Sequence, residues 1–245
     1  INLKQITEVK ELGFIKGKMD FDGVGTDIKT LKLTANGQLA YLDLMDKRYQ
    51  NVTVNGKLER QIFNGLLSIK DPQLNANYDG SFDFSGKTMK LNFKSNVNHI
   101  NLDYLGLTKN LNANVRADID GDFTFSNIDD FLGNLDIRNL HFTSKTDTVD
   151  IPEAHLVSSR TDGNQNLELD IPGFLKGEIH GNYRLSQLPD AIMNAVGTTT
   201  LLTYEAKKID ANQSFGFYFE VDQDLFSLID PRIQIAPGTI VDGQV

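Results

Sequence analysis

The sequence from Val52 to His99 alternates apolar and polar residues in four successive runs that are joined by short polar turns. Because successive side chains of a β-strand point to opposite faces, a period of two predicts strands that are buried on one face only. The first run places Val54, Gly56 and Leu58 on the same face as Val52. The stretch therefore predicts a sheet with one apolar face and one hydrated face, and what covers the apolar face decides the function.

Similar alternation recurs along most of the chain. It begins at Ile15, extends from Leu31 to Tyr41, and returns in one long run from Leu111 to Phe125. The apolar positions change parity between Ile137 and Leu140, which predicts a β-bulge. We therefore predict an all-β fold of mostly antiparallel strands, with no clear domain boundary in the 245 residues.

Only one stretch has a convincing helical pattern. The residues from Ser186 to Gly197 combine a capping serine, a proline and an acid in the first turn, and a glycine at the end. Shorter helical pieces are predicted at Ser126–Leu132 and Asp224–Ile229. We expect that helices cannot cover the apolar face, since the apolar stripe of the main helix consists only of Leu188, Ile192 and Val196.

Composition narrows the possible functions. The net charge of −9 argues against a nucleic-acid partner, because phosphate binding needs clustered Lys and Arg residues. The absence of cysteine excludes disulfides, thiol catalysis and Cys-zinc sites. No run approaches the roughly 18 apolar residues of a membrane-spanning helix. The chain begins at Ile1 without a methionine or a signal-like segment, so we expect either a processed leader or a piece of a longer protein.

The chain carries little that resembles a catalytic or metal site. The stretch Asp118–Asp122 has the start of a calcium loop, but it lacks the glutamate at loop position twelve. No serine lies in a nucleophile-elbow motif. We expect no enzymatic activity, no cofactor and no metal, because the four histidines are scattered without ligand spacing, at His99, His141, His155 and His180.

Two arrangements of the apolar face stay open. The sheet folds onto itself as a sandwich or closed barrel with a dry core, or it forms an open trough that an apolar guest fills. Each exposed Leu or Phe forgoes roughly 1.5–3 kcal/mol of burial, so an open trough implies a guest or a partner sheet. Glycines within strands mark a bend or a close approach, and four are predicted as bends of a trough: Gly56, Gly65, Gly80 and Gly121.

If the trough forms, its lining follows from the alternation. The candidates are the apolar members of the Val52–His99 runs and of the long run that follows. They are Val52, Val54, Leu58, Phe63, Leu67, Ile69, Leu74, Tyr78, Phe82, Phe84, Leu91, Phe93, Val97, Leu111, Val115, Ile119, Phe123 and Phe125.

Several sequence blocks resemble the TamB family, which contains the inner-membrane component of the translocation and assembly module. The chain is similar in particular to Bacteroidota-type members of these AsmA-like, repeating β-groove proteins. The resemblance covers most of residues 13–190. It rests on the blocks Tyr49–Leu58, Phe63–Gly65, Ser68–Pro72, Asn134–Ile137 and Gly181–Leu185.

The resemblance implies an elongated, curled, U-shaped sheet with a hydrophobic groove for phospholipid or other acyl chains. It implies a periplasmic interior segment of a longer protein that is anchored in the inner membrane. Such a protein supports phospholipid transport to the outer membrane and outer-membrane protein assembly, with a barrel partner of the TamA/BamA type docking on a C-terminal region outside this chain.

On this interpretation, residues 1–245 form one groove segment, with possible sub-repeats at about 13–100, 101–185 and 198–245. The alternative function is that of a β-sandwich adhesion or glycan-binding module with a dry core. That function calls for exposed aromatic residues on the polar face, whereas the aromatic residues here fall mostly on the apolar face. An outer-membrane barrel is a third possibility, but the aromatic girdles typical of one are missing.

Overall fold

A computed structural model describes residues 2, 12–25, 27–44, 46–108, 110–200, 204–210, 212–223 and 235–245. Within these residues, thirteen strands form one antiparallel sheet in which the strands follow one another in chain order. This confirms the predicted fold class, an all-β, mostly antiparallel sheet with a few short helices. The alternative of a sheet folded onto itself over a dry core stays a prediction.

The strands are long, and most exceed the usual five or six residues. Their bounds are β1 (Leu12–Val24), β2 (Lys32–Leu44), β3 (Lys47–Glu59), β4 (Ile62–Lys70), β5 (Leu74–Asp83), β6 (Met89–Asn101), β7 (Asn114–Phe125), β8 (Leu132–Thr143), β9 (Thr148–Thr161), β10 (Asn164–Ile171), β11 (Leu175–Asn182), β12 (Ser214–Val221) and β13 (Thr239–Gln244).

Helical structure is sparse in the described part of the chain. Helix α1 (Leu102–Leu105) follows β6, and helix α2 (Leu188–Thr200) follows a 3-10 turn at Leu185–Gln187. The predicted helical turn after β7 is a 3-10 turn at Ile128–Asp130. The predicted helix at Asp224–Ile229 lies outside the described residues.

Short hairpin turns fix the register of neighbouring strands. The loop between β9 and β10 is Asp162-Gly163, and both residues have positive φ, as a type I′ turn requires. The loop between β3 and β4 takes the same conformation with Arg60 and Gln61. Asn139 has a φ of 53° inside β8, where the parity change predicts a bulge.

The chain divides into two compact units. The first comprises residues 1–122 and 137–150, and the second comprises residues 123–136 and 151–245. The predicted sub-repeats stay a prediction. In each unit the apolar residues of successive strands share one face, because the antiparallel register pairs them directly.

The first unit depends on a close approach of neighbouring strands at its glycines. A methyl group at Gly65 would overlap the carbonyl oxygen of Asn55 and lie 2.5 Å from Cα of Gly56. We therefore expect Gly65→Ala to lower the free energy of unfolding by about 2–3 kcal/mol, since backbone atoms cannot move aside cheaply. Urea unfolding of the full chain measures this loss.

Gly86→Ala is the matched control. The methyl group at this exposed loop position would lie 3.5 Å from the carbonyl oxygen of Thr88, which is an ordinary van der Waals distance. Its unfolding free energy should stay within about 0.5 kcal/mol of the wild type. Equal effects of the two substitutions would contradict the close approach.

Candidate functional site

The register of β1 to β6 places their apolar residues on one face of the first unit, here called the first-unit face. Residues on adjacent strands face each other in four rows. In order along the strands, the rows are Gly17, Leu39, Val52, Ile69, Ala76 and Val97; then Met19, Gly37, Val54, Leu67, Tyr78 and Ser95; then Phe21, Ala35, Gly56, Gly65, Gly80 and Phe93; and finally Gly23, Leu33, Leu58, Phe63, Phe82 and Leu91.

One end of the first-unit face is covered. Val52 and Ile69 are buried there together with Tyr49, and helix α1 packs against this cluster through Tyr104 and Leu105. The rings of Tyr49 and Tyr104 meet edge to face, with centroids 6.1 Å apart. Burial raises the pKa of the Tyr49 hydroxyl. This end is therefore a small closed core.

A local change in β3 brings Tyr49 into that core. Asn51 has a φ of 51°, and Tyr49 and Val52, which are three residues apart and enclose it, are both buried. A strand of strict alternation would place these two side chains on opposite faces. The left-handed residue thus shifts the parity of β3 and folds additional apolar side chains over the end of the face.

The opposite end of the first-unit face is open. Phe21 is 53% exposed, and Phe63, Phe82 and Phe93 are only half-buried. The apolar side chains at this end are therefore partly in contact with solvent.

Aromatic rings and glycines are combined on the open half. Gly56, Gly65 and Gly80 lie side by side on β3, β4 and β5. The Phe63 ring occupies the space that a side chain at Gly56 would take, with Cε2 2.6 Å from the position of a Cβ. The rings of Tyr78 and Phe93 stack with centroids 5.2 Å apart. Rings that lie close to the glycine backbone give this part of the face a continuous apolar surface.

Most predicted lining residues lie where the alternation predicts them. Those from Val52 to Val97 belong to the first-unit face, and Phe84 follows β5 with its ring 5.4 Å from that of Phe82. On β7 the predicted residues are half-buried, Val115 and Ile119 in the first unit and Phe123 and Phe125 in the second.

The prediction that the long strand begins at Leu111 is wrong, and the role of Leu111 as a lining residue stays a prediction. This residue lies in the loop before β7, which begins at Asn114, and it is 43% exposed. The predicted bend glycine on this strand, Gly121, is buried. A glycine inside a strand marks either a bend or the close approach of a neighbouring backbone. Neighbouring strands approach closely at Gly56, Gly65 and Gly80. The bends themselves stay a prediction.

The predicted set also omitted part of the face. Leu33, Leu39 and Phe21 continue its rows onto β1 and β2, and their alternation is as clear in the sequence as that of the later runs. Tyr49 and Tyr104 had no such signal. The burial of Tyr49 requires the parity shift at Asn51, and Tyr104 lies on a helix of four residues.

In the second unit a helix covers the apolar face, so the expectation that helices cannot do so is wrong there. Met193 on α2 is 2% exposed, and Ala191 and Val196 are also buried. The buried surface of the helix is wider than the predicted three-residue stripe, because Ala191 and Met193 extend it. The strands beneath contribute buried Phe217 and Phe219.

The hydrated face carries paired charges and amides. Asp118 accepts hydrogen bonds from Asn139 and Asn96, at 2.9 and 2.6 Å, and these bonds lower the pKa of its carboxyl group. Asp136 lies 2.6 Å from Nδ1 of His155 and raises the pKa of that imidazole. Exposed pairs of this kind add little stability. Within the described ranges, no group of three or more His, Cys, Asp or Glu side chains could hold a metal ion.

Tyr183 carries a buried hydroxyl group in the second unit. It is 4% exposed, and its hydroxyl has no hydrogen-bond partner among the residues that the structure describes. The nearby Ser158 hydroxyl donates instead to the carbonyl oxygen of Phe131, at 2.7 Å. Burial raises the pKa of Tyr183 to about 12.

We expect Tyr183→Phe to raise the free energy of unfolding by about 1 kcal/mol, because it removes a buried group that makes no hydrogen bond. Between pH 10 and pH 12 the unfolded chain loses this proton before the folded chain does. The wild type should therefore lose stability in that interval more steeply than the variant. Urea unfolding across this pH range measures both effects.

Tyr78→Phe is the matched control, since the Tyr78 hydroxyl donates to the carbonyl oxygen of Ser81 at 2.8 Å. Removing this bond should lower the free energy of unfolding by about 1 kcal/mol. A loss of similar size in Tyr183→Phe would mean that the Tyr183 hydroxyl has a partner.

No helix in the described part of the chain has the length and apolar character needed to span a membrane. The resemblance to the TamB family rests on the sequence blocks alone, and the geometry of the first-unit face is independent of it. Comparison of the chain with protein-family models, with curated proteins and with solved structures gives no match.

Proposed function

We propose that the first-unit face binds acyl chains, and that the protein is a lipid-conducting groove segment. The observation that carries this proposal is the open half of the face, where large apolar side chains such as Phe21 and Phe82 are half-buried or exposed. A fully exposed side chain of this size forgoes roughly 1.5–3 kcal/mol of burial, and these residues forgo a part of that free energy. Contiguous exposed apolar surface of this kind is typical of binding sites.

The dimensions of the face suit an acyl chain. A row crosses six strands, and five spacings of about 4.8 Å correspond to a length of about 24 Å. One leaflet of a bilayer has a hydrocarbon thickness of about 15 Å, half of the whole core. A single row is therefore long enough for an extended acyl chain that crosses the strands.

Binding an acyl chain requires only apolar contacts between the chain and the face. The rows of the face are formed almost entirely by aliphatic residues, aromatic residues and glycine, which offer dispersion contacts and few hydrogen bonds. Charged pairs such as Lys32 with Glu59, at 2.7 Å, lie at exposed positions where a headgroup stays hydrated. No catalytic step is required for a chain to lie along such a surface.

The wider proposal follows the resemblance to the TamB family. The protein is then a periplasmic segment of a longer inner-membrane-anchored protein, which supports phospholipid transport to the outer membrane and outer-membrane protein assembly. Its further partner is an outer-membrane barrel of the TamA/BamA type. The sequence blocks support this part, and the half-exposed apolar face is compatible with it.

Photocrosslinking tests the binding surface. With p-benzoylphenylalanine in place of Phe82, on the open half of the face, we expect covalent adducts with phospholipid after irradiation of the full chain with phospholipid vesicles or in cells. Mass spectrometry identifies the adducts. The expected yield is several times that of the control, because the probe lies where the acyl chain is proposed to bind.

The matched control carries the same probe in place of Leu66, which is 50% exposed on the opposite face of the same strand as Leu67. Equal lipid yields at both positions would indicate non-specific adsorption. Crosslinks from position 82 to protein only, together with lipid-free protein after purification without detergent, would overturn the proposal.

A further inference from the structure

A second apolar site lies in the second unit, between helix α2 and the sheet. It is a cavity of about 260 Å³ that is partly open to solvent. The sheet contributes Leu167, Leu169 and Ile179, and the helix contributes Ile192 and Met193. All of these residues belong to the second unit, so this cavity is separate from the first-unit face.

The cavity has a specific structural cause. Gly177 on β11 pairs with Phe219 on β12, and it contributes no side chain to the space under the helix. The Phe219 ring lies over that glycine, with Cε1 2.5 Å from the position that a Cβ would take. The ring thus covers the strand, and the space between the sheet and the helix stays partly unfilled.

The walls of the cavity select for hydrocarbon. Every residue that lines it is apolar or glycine. A water molecule needs about two to four polar partners in a buried site, and these side chains offer none. An apolar cavity without contents also loses the dispersion contacts of its lining, so an apolar ligand gains those contacts on entry.

The size of the cavity sets the size of the ligand. It exceeds the roughly 150 Å³ of an apolar cavity that accepts benzene, and it is slightly below the range of about 300–1,000 Å³ that is usual for drug-sized ligands. We propose that this cavity is a binding site for a single short alkyl chain, whose polar end remains outside the open side.

Methyl NMR of the full chain tests this site with decanoate as the probe, at concentrations below those at which it forms micelles. We expect saturable shifts of the methyl signals of Leu167, Ile179 and Met193, which line the cavity. Leu169→Trp fills the cavity and should weaken binding at least tenfold. Val157→Trp, at an exposed position in the same unit, should leave the affinity within twofold of the wild type.

A second variant keeps the test valid if Leu169→Trp does not fold. Ile192→Ala enlarges the cavity and should shift its preference from decanoate towards dodecanoate at least threefold. Absence of saturable shifts in the wild type, equal weakening by both tryptophan variants, or an unchanged chain-length preference would each overturn the proposal. Shifts confined to Val54 and Leu67 would overturn it too, while supporting acyl binding by the first-unit face.

Discussion

The direct pairing of apolar residues across the antiparallel ladder is the constraint on which the structure depends. A shift of one residue between β3 and β4 would move Leu67 from the apolar face to the hydrated face. Tight turns such as Arg60-Gln61 set this pairing. At Gly65 the absence of a side chain allows β4 to lie close to Gly56 on β3. Because the pairing is repeated from strand to strand, single alternating runs combine into continuous apolar surfaces.

The two units differ in how much of the apolar surface a helix covers. In the first unit, the four-residue helix α1 covers only one end, and Phe21 and its neighbours stay in partial contact with solvent. In the second unit, α2 covers the sheet with a surface that includes Ala191 and Met193. A partly open apolar cavity remains between this helix and the sheet, and Gly177 contributes no side chain to it. The same strand pattern thus supports an open surface and a largely closed core.

Much of the fold and of the first-unit face could be predicted, because alternation with a period of two is a local property. The positions of residues such as Val54, Leu67 and Phe82 followed directly from it. The long run from Leu111 failed at its start, since a continuous pattern does not reveal where pairing begins. The role of Tyr49 was hidden for a related reason, because one left-handed residue reverses the parity.

The sequence by itself determined most of the strands and their two faces. These depend on side-chain direction and on backbone freedom, which are set within a few residues. Only the tertiary structure decided that the strands join one sheet in chain order, that α1 closes one end of the first-unit face, and that α2 covers part of the second unit. Coverage depends on contacts between residues far apart in the chain, such as Tyr49 with Tyr104, and local periodicity carries no information on such contacts.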